Sequence, residues 1–289
     1  MLRFIGGHAR RGMTEHIKML ALRLMDRFDQ HISAHLLLLR YHHNVFNEPY
    51  YSGVVGPMGF TGLHGAAFLG IVEIVSVVLD MKKWDINATD STGSTALTWA
   101  AGRGKQEIVK ILLEREDVNP NQVDTQYGRT PLMWAVRKGH SEVVKILLER
   151  GGVYPNQTEA KYSRTLLWRG AENGQHEAIR MLLEREDVNP NKTITKDGQT
   201  PLTWAAENGQ GEVVKILLER EGVDPNQTDT KYGRTPLSWA ARNGHSGTVK
   251  MLLARGDVNP DQADTAFGLT PLSLAAANGH WGVVKMLLE

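Results

Sequence analysis

The chain has 289 residues, a formal net charge of +1 at pH 7, 41% hydrophobic residues and no cysteine. Without cysteine there are neither disulfides nor thiolate metal sites, which suits a cytosolic or nuclear protein and excludes a cystine-stapled secreted one. Lys and Arg against Asp and Glu stand at 7 to 4 over residues 1–58 and at 26 to 28 over residues 59–289, a near-neutral balance that gives no electrostatic reason to expect nucleic acid, whose phosphates ask for a clustered basic surface.

Residues 1–13 hold basic side chains but no apolar core of signal-peptide length, and the run Leu36 to Leu39 is far short of a membrane span, so no membrane partner is expected. Residues 14–28 predict a helix: Thr14 is placed to cap it, and Ile17, Leu20, Ala21, Leu24, Met25 and Phe28 follow the i, i+3, i+4, i+7 rhythm. A second helix is expected over about residues 33–42, and residues 44–58, with two prolines and two glycines, read as a linker. Such a pair is able to cap a stacked array, covering one apolar face and showing a polar one to water. His31 and His35 share a helix face and His42 and His43 follow, but no third ligand at fixed geometry accompanies them, so no metal is expected.

From residue 59 onward one unit recurs. Its threonine returns at Thr61, Thr95, Thr130, Thr165, Thr200, Thr235 and Thr270, at intervals of 34 once and 35 five times. In the copy Gly198 to Glu219, Thr200 suits an N-cap and Pro201 the first helical position, where a missing N–H costs little. Leu202, Ala205 and Ala206 form one apolar stripe, and Asn208-Gly209 supplies the left-handed turn that ends a helix of about two turns. A second helix places Val213, Val214, Leu217 and Leu218 on one side and Glu212, Lys215 and Glu219 on the other. Neither helix hides enough apolar surface to offset chain entropy by itself, so the copies must stack. Between copies, stretches such as Asp117 to Arg129 carry Asn-Pro and Tyr-Gly turn signals, and their short extended pieces are expected to pair as a hairpin.

The pattern G-x-T-P-L-x-x-A-A-x-x-G followed by x-x-V-V-K-x-L-L resembles the ankyrin repeat over about residues 59–289. The resemblance implies an all-α ankyrin-repeat solenoid, seven helix-turn-helix repeats with β-hairpin loops, preceded by the helical segment 1–58. The repeat is two residues longer than is usual in that family, with the gain at Pro120-Asn121, Pro190-Asn191 and Pro225-Asn226, so the fingers are expected to be long. Trp99, Trp134, Trp204 and Trp239 stand where ankyrins often have leucine, and the histidine of T-P-L-H survives only as His64. These tryptophans read as core, filling space where stacked repeats meet. With the upstream wording GHARRGMTEHIKMLALRLMDRFDQHISAHLLLLRYH, the chain is also similar to the C-terminal part of fungal NACHT-ankyrin proteins. That narrower similarity implies the sensing array of a larger cytoplasmic signalling protein.

No enzyme is expected. Gly102-Arg103-Gly104-Lys105 fails the phosphate-loop pattern twice, with Trp99 in place of the first glycine and Gln106 after the lysine. His140, His176, His245 and His280 recur just after helix-ending glycines, which argues for a turn role, since a catalytic histidine is needed once. The Asn-X-Thr sequons at Asn87, Asn156, Asn191 and Asn226 read as turn asparagines. The expected function is protein binding, with no cofactor, nucleic acid or small-molecule substrate. The alternatives are a structural spacer and a regulatory fragment of a nucleotide-hydrolysing switch. The candidate contact residues are those that vary at finger tips and first-helix ends: Tyr127, Arg129, Arg137 and Lys138; then Tyr162, Arg164 and Glu172; then Lys196, Gln199 and Glu207; then Tyr232, Arg234 and Arg242. The fourth copy is expected to be the weakest, because Leu166 replaces proline, Arg169 replaces tryptophan and Gly170 replaces alanine. At the last copy Leu272, Leu274, Val284, Leu287 and Leu288 are expected to form an uncovered apolar side.

Overall fold

A computed structural model describes residues 59–80, 84–161, 164–193 and 197–289, together with Met19 and Arg23, each at a helical position. The expected helices over 14–28 and 33–42, apart from those two positions, lie outside the described residues. So do the linker, the boundary at residue 58 and the histidines at 31, 35, 42 and 43.

Fourteen helices are present among the described residues, in seven pairs. The first helices are Gly62–Leu69, Ala96–Gly102, Pro131–Lys138, Leu166–Glu172, Pro201–Glu207, Pro236–Arg242 and Pro271–Ala277. The second helices are Val72–Asp80, Gln106–Leu113, Ser141–Glu149, His176–Leu183, Gly211–Glu219, Ser246–Leu253 and Trp281–Leu288. The recurring threonines start the first helices. Thr95, Thr130, Thr165, Thr200, Thr235 and Thr270 each accept from the backbone N–H three residues on, at 3.1–3.3 Å, relieving one of the four orphan donors of a helix start. Thr61 is served differently, its N–H donating to the His64 ring at 3.1 Å.

Two compact units are present, Met1–Val153 and Tyr154–Glu289. In each, first helices pack on first helices of the next repeat and second helices on second helices. Alanines on the inner face let the helices approach. In the second unit Ala206, Ala240, Ala241 and Ala275 close around Leu237, Val249, Leu252 and Val283, all essentially without solvent contact. Each such leucine contributes about 1.5–3 kcal/mol over its exposed state.

The finger loops differ from the expected hairpins. No strand occurs among the described residues; fingers close with a pair of short-range backbone bonds, as in Asp124 N–H to the Arg129 carbonyl at 2.9 Å with Gly128 N–H to the Asp124 carbonyl at 3.1 Å, and Asp229 N–H to the Arg234 carbonyl at 3.0 Å with Gly233 N–H to the Asp229 carbonyl at 3.1 Å. A ladder needs extended partners on both sides, and the Asn-Pro and Tyr-Gly turns leave too few residues between them.

The recurring histidines and asparagines link neighbouring repeats. His140, His245 and His280 each donate Nε2–H to a carbonyl 38 residues earlier, those of Gly102, Glu207 and Arg242, at 2.9–3.2 Å. The approach is close: a Cβ on Gly244, whose φ is +73°, would lie 2.5 Å from the His280 ring, so both conformation and space demand glycine there. His176 is exposed. Asn191 reaches to the next finger, donating to the Gly222 carbonyl at 2.5 Å and accepting from Asp224 N–H at 2.9 Å. Asn87 does the same with Asp117 and Asn119, both at 2.6 Å, and Asn156 and Asn226 repeat the pattern.

The fourth repeat corrects the expectation of a simple weak point. Arg169, 5% exposed, donates to both oxygens of the buried Glu159 at 2.7 and 2.6 Å, and also to Glu172. The third and sixth repeats pair aspartate with tryptophan at this spacing; here both partners have changed together. Burial alone lowers the tendency of Arg169 to hold its proton, but the bonds to Glu159 more than reverse this. Gly170 leaves room for Ile179, whose Cγ1 would lie 2.7 Å from an added Cβ.

Candidate functional site

In the second, third, fourth and sixth repeats the finger is braced on its helix by an acid. In the sixth repeat, Asp229 is nearly inaccessible: Oδ1 accepts from the N–H groups of Lys231 and Tyr232 at 2.9 and 2.7 Å, and Oδ2 from Arg234 N–H at 3.1 Å and the Trp239 indole at 2.9 Å. Asp90 holds Trp99 at 2.8 Å and Asp124 holds Trp134 at 2.9 Å in the same way. Trp99 and Trp239 are thus core, as expected, whereas Trp134 and Trp204 stay partly exposed; Trp99, Trp134 and Trp239 also tie finger to helix. That acid was legible as an Asp nine or ten residues before Trp99, Trp134 and Trp239, a spacing that the sequence reasoning did not exploit and that Trp204, with Ile194 ten residues before it, does not share.

The candidate contact residues divide. In the first unit Arg129 is 1% exposed, its guanidinium 3.9 Å from the Tyr127 ring centre and 4.9 Å from that of Trp134, and Tyr127 is buried beneath it. In the second unit Arg234 is buried, donating to Asp264 of the next finger at 3.0 Å and lying over the rings of Tyr232 and Trp239 at 4.7 and 5.0 Å. These three side chains are therefore part of the frame, because aromatic faces and an acid from a neighbouring finger draw the guanidinium inward. Expected from the sequence as contact residues, all three are instead buried.

The remaining candidates stay half-exposed. Arg137 and Lys138 end their helix in the first unit, with Arg137 5.6 Å from the Trp134 ring. In the second unit Arg164 pairs with Glu172 at 3.2 Å and covers Trp168 at 3.9 Å, and Gln199 donates to Glu207 at 2.6 Å. Tyr162 and Lys196 lie outside the described residues.

Glu207, Tyr232 and Arg242 come together in a notch of 310 Å³ between the fifth and sixth repeats, with Asp197, Lys231 and Trp239 completing its walls and floor. At its mouth Lys231 lies 3.5 Å from Asp197 and 5.1 Å from the Tyr232 ring; Arg242 sits 5.5 Å over Trp239. Asp197, Lys231 and Trp239 were not among the candidates. Among the described residues no group of three or more His, Asp or Glu is placed to hold a metal, and no helix is long and apolar enough to cross a membrane.

In comparison with known proteins, residues 63–159, 152–229 and 221–289 match the family profile described as ankyrin repeats (3 copies). Inversin of Danio rerio is 40% identical over 75 residues, 26% of this chain and only 7% of inversin. Among solved structures, the ankyrin repeat domain of human ASB11 superposes with a TM-score of 0.62 at 27% identity, covering 78% of this chain and 96% of that domain. The ankyrin repeat protein EF0377 superposes with a TM-score of 0.62 at 27% identity, covering 72% of this chain and 99% of its own. The ankyrin repeat domain of Bcl-3, described as a member of the IkappaB protein family, reaches a TM-score of 0.72 over 80% of this chain and all of that domain, at 22% identity, a likeness of fold. With its three matched segments spanning all seven helical pairs, this chain belongs to the ankyrin-repeat family.

Proposed function

We propose that the chain is a non-catalytic protein-binding array whose contact surfaces are the accessible finger and first-helix residues of its repeats. The observation that carries this reading is a division of labour within each repeat. Repeated apolar positions are buried, while positions that vary, Arg137 and Lys138 in one unit and Glu172, Gln199, Glu207, Tyr232 and Arg242 in the other, stay half-exposed. Variation there costs the fold little, and tyrosine and arginine combine contact area with directional hydrogen bonds. Ankyrin repeats are in general protein-interaction modules, which supports the same reading. The similarity over residues 7–42 supports a narrower context, the ligand-sensing part of a fungal NACHT-type signalling protein working in the cytoplasm. A phosphate loop encoded upstream tests that context, and imaging of the tagged protein tests the compartment.

The main experiment captures a partner by cross-linking in the source cell, then measures its affinity for two variants. Arg137→Ala, Lys138→Ala, Glu207→Ala and Arg242→Ala together are expected to weaken binding about 10-fold or more, since interface anchors are worth about 2 kcal/mol each. Lys110→Ala, Lys145→Ala and Lys215→Ala, on the second helices, are expected to leave it unchanged. The reverse outcome assigns binding to the wrong side, and a chain that holds no partner is a spacer.

A further inference from the structure

The walls of the notch over Trp239 carry opposite charges that do not meet. Glu207, at the end of one first helix, accepts from the Gln199 amide and joins no ion pair among the described residues. Arg242, at the end of the next first helix, stacks on Trp239 and likewise joins none. The other charges are committed: Asp229 to its four neutral donors, and Lys231 and Asp197 to each other. One carboxylate and one guanidinium thus face a space of 310 Å³, room for one or two side chains. An anion alone would meet Asp197, Glu207 and Asp229, and a cation alone would meet Lys231 and Arg242; like charges brought together in this way suppress wrong partners. The ligand that satisfies both walls carries both signs.

We propose that this notch recognises a partner segment bearing a basic and an acidic side chain side by side, the basic one against Glu207 and the acidic one on Arg242. The planar guanidinium offers a carboxylate two parallel N–H bonds, while Glu207 keeps an oxygen for an ammonium or a second guanidinium. The inference rests on the protein-binding reading above and adds the chemistry of one contact.

The test uses the intact chain and three capped tetrapeptides, Ac-Gly-Lys-Glu-Gly-NH2, Ac-Gly-Lys-Gly-Gly-NH2 and Ac-Gly-Glu-Gly-Gly-NH2, followed by the NMR signal of the Trp239 indole N–H. The peptide with both charges is expected to bind tightest, each charge contributing roughly three- to five-fold, the scale of a partly exposed ion pair. Glu207→Gln should bring it down to the level of the acid-only peptide, and Arg242→Gln to that of the lysine-only peptide, with unchanged melting temperatures. A silent indole signal up to 10 mM peptide, on the order of the weakest contact worth calling recognition, overturns the proposal. Single-charge peptides that bind equally well, or variants without effect, overturn it too. A captured partner that tolerates Glu207→Gln and Arg242→Gln but is lost on Arg137→Ala with Lys138→Ala would overturn the notch while leaving the protein-binding reading intact.

Discussion

Gly170 offers the sharpest test of how these repeats are packed. At this position the other six repeats have alanine, namely Ala66, Ala100, Ala135, Ala205, Ala240 and Ala275, and nine residues later each has valine, at Val75, Val109, Val144, Val214, Val249 and Val284. Only the fourth repeat combines glycine with isoleucine, one methyl fewer and one methyl more. Gly170→Ala alone gains about 1 kcal/mol of helix propensity. Its new Cβ, however, would lie 2.7 Å from Cγ1 of Ile179, a side chain 1% exposed. Overpacking of that kind costs about 1–3 kcal/mol, so the single change should come out near neutral or destabilising by up to about 2 kcal/mol. Ile179→Val alone should cost about 0.5–1.5 kcal/mol for the missing methyl. Together they restore the alanine–valine pair; valine keeps both γ carbons, so relief comes through the lost Cδ1, which lets χ1 turn a γ carbon away from the new Cβ, and the double variant should be about 0.5–1 kcal/mol more stable than the parent. The coupling between the two sites is then roughly 2–3 kcal/mol, at the upper end for neighbours in contact. Urea unfolding should be combined with hydrogen exchange at residues 166–183, because repeat arrays need not unfold in one step. If the two changes add within about 0.5 kcal/mol, as independent sites do, or if Gly170→Ala alone yields its full propensity gain, the compensating-volume argument fails.

Further expectations follow from the same geometry. Glu159→Ala removes the buried carboxylate that takes two bonds from the Arg169 guanidinium and should cost about 3 kcal/mol, the low end for breaking a buried pair; Glu159→Asp with Arg169→Trp, which rebuilds the acid–indole brace of the third repeat, should recover most of it in the same unfolding assay. His64 is 1% exposed, accepts from Thr61 N–H at Nδ1 and donates Nε2–H to the Ser94 carbonyl at 3.1 Å, and burial lowers its pKa below 6.5 although Asp90 opposes this. A depressed histidine contributes stability above its unfolded value and loses it as pH falls, so the protection free energy of amides at residues 61–70, corrected for the intrinsic pH dependence of exchange, should fall below pH 6.5 by up to about 1.4 kcal/mol per pH unit; His64→Gln should flatten that slope, and an equal slope in the variant speaks against the assignment. Phe267, Trp281 and Leu288 of the last repeat are 67–73% exposed, an apolar cluster that should drive concentration-dependent association in light scattering. Trp281→Lys with Leu288→Lys should abolish it, and persistence would locate the sticky surface elsewhere. Of the leucines expected on that side, Leu274 is in fact buried, and Leu272 and Leu287 are half-covered.

Local signals carried most of the fold. A capping threonine, an apolar stripe of two turns and a glycine stop act within one helix, so all seven repeats were legible from residues a few places apart. The turn role of His140, His245 and His280 was legible for the same reason, although their carbonyl partners lie in the preceding repeat. What the linear text could not decide was which variable residues face water. Tyr127 and Tyr232 sit at equivalent positions, yet one is buried and the other half-exposed, and Arg234 turns inward where Arg242 does not. That outcome depends on an aspartate 30 residues away in the next finger and on aromatic rings that only stacking brings under the guanidinium. The partnering of Arg169 with Glu159 and the room that Gly170 leaves for Ile179 belong to the same class. The sequence by itself determined the repeat, its caps and its buried stripes, because those follow from local backbone preferences and periodicity. Only the tertiary structure decided which charges are spent on the frame and which are left for a partner, because burial and pairing are settled between repeats.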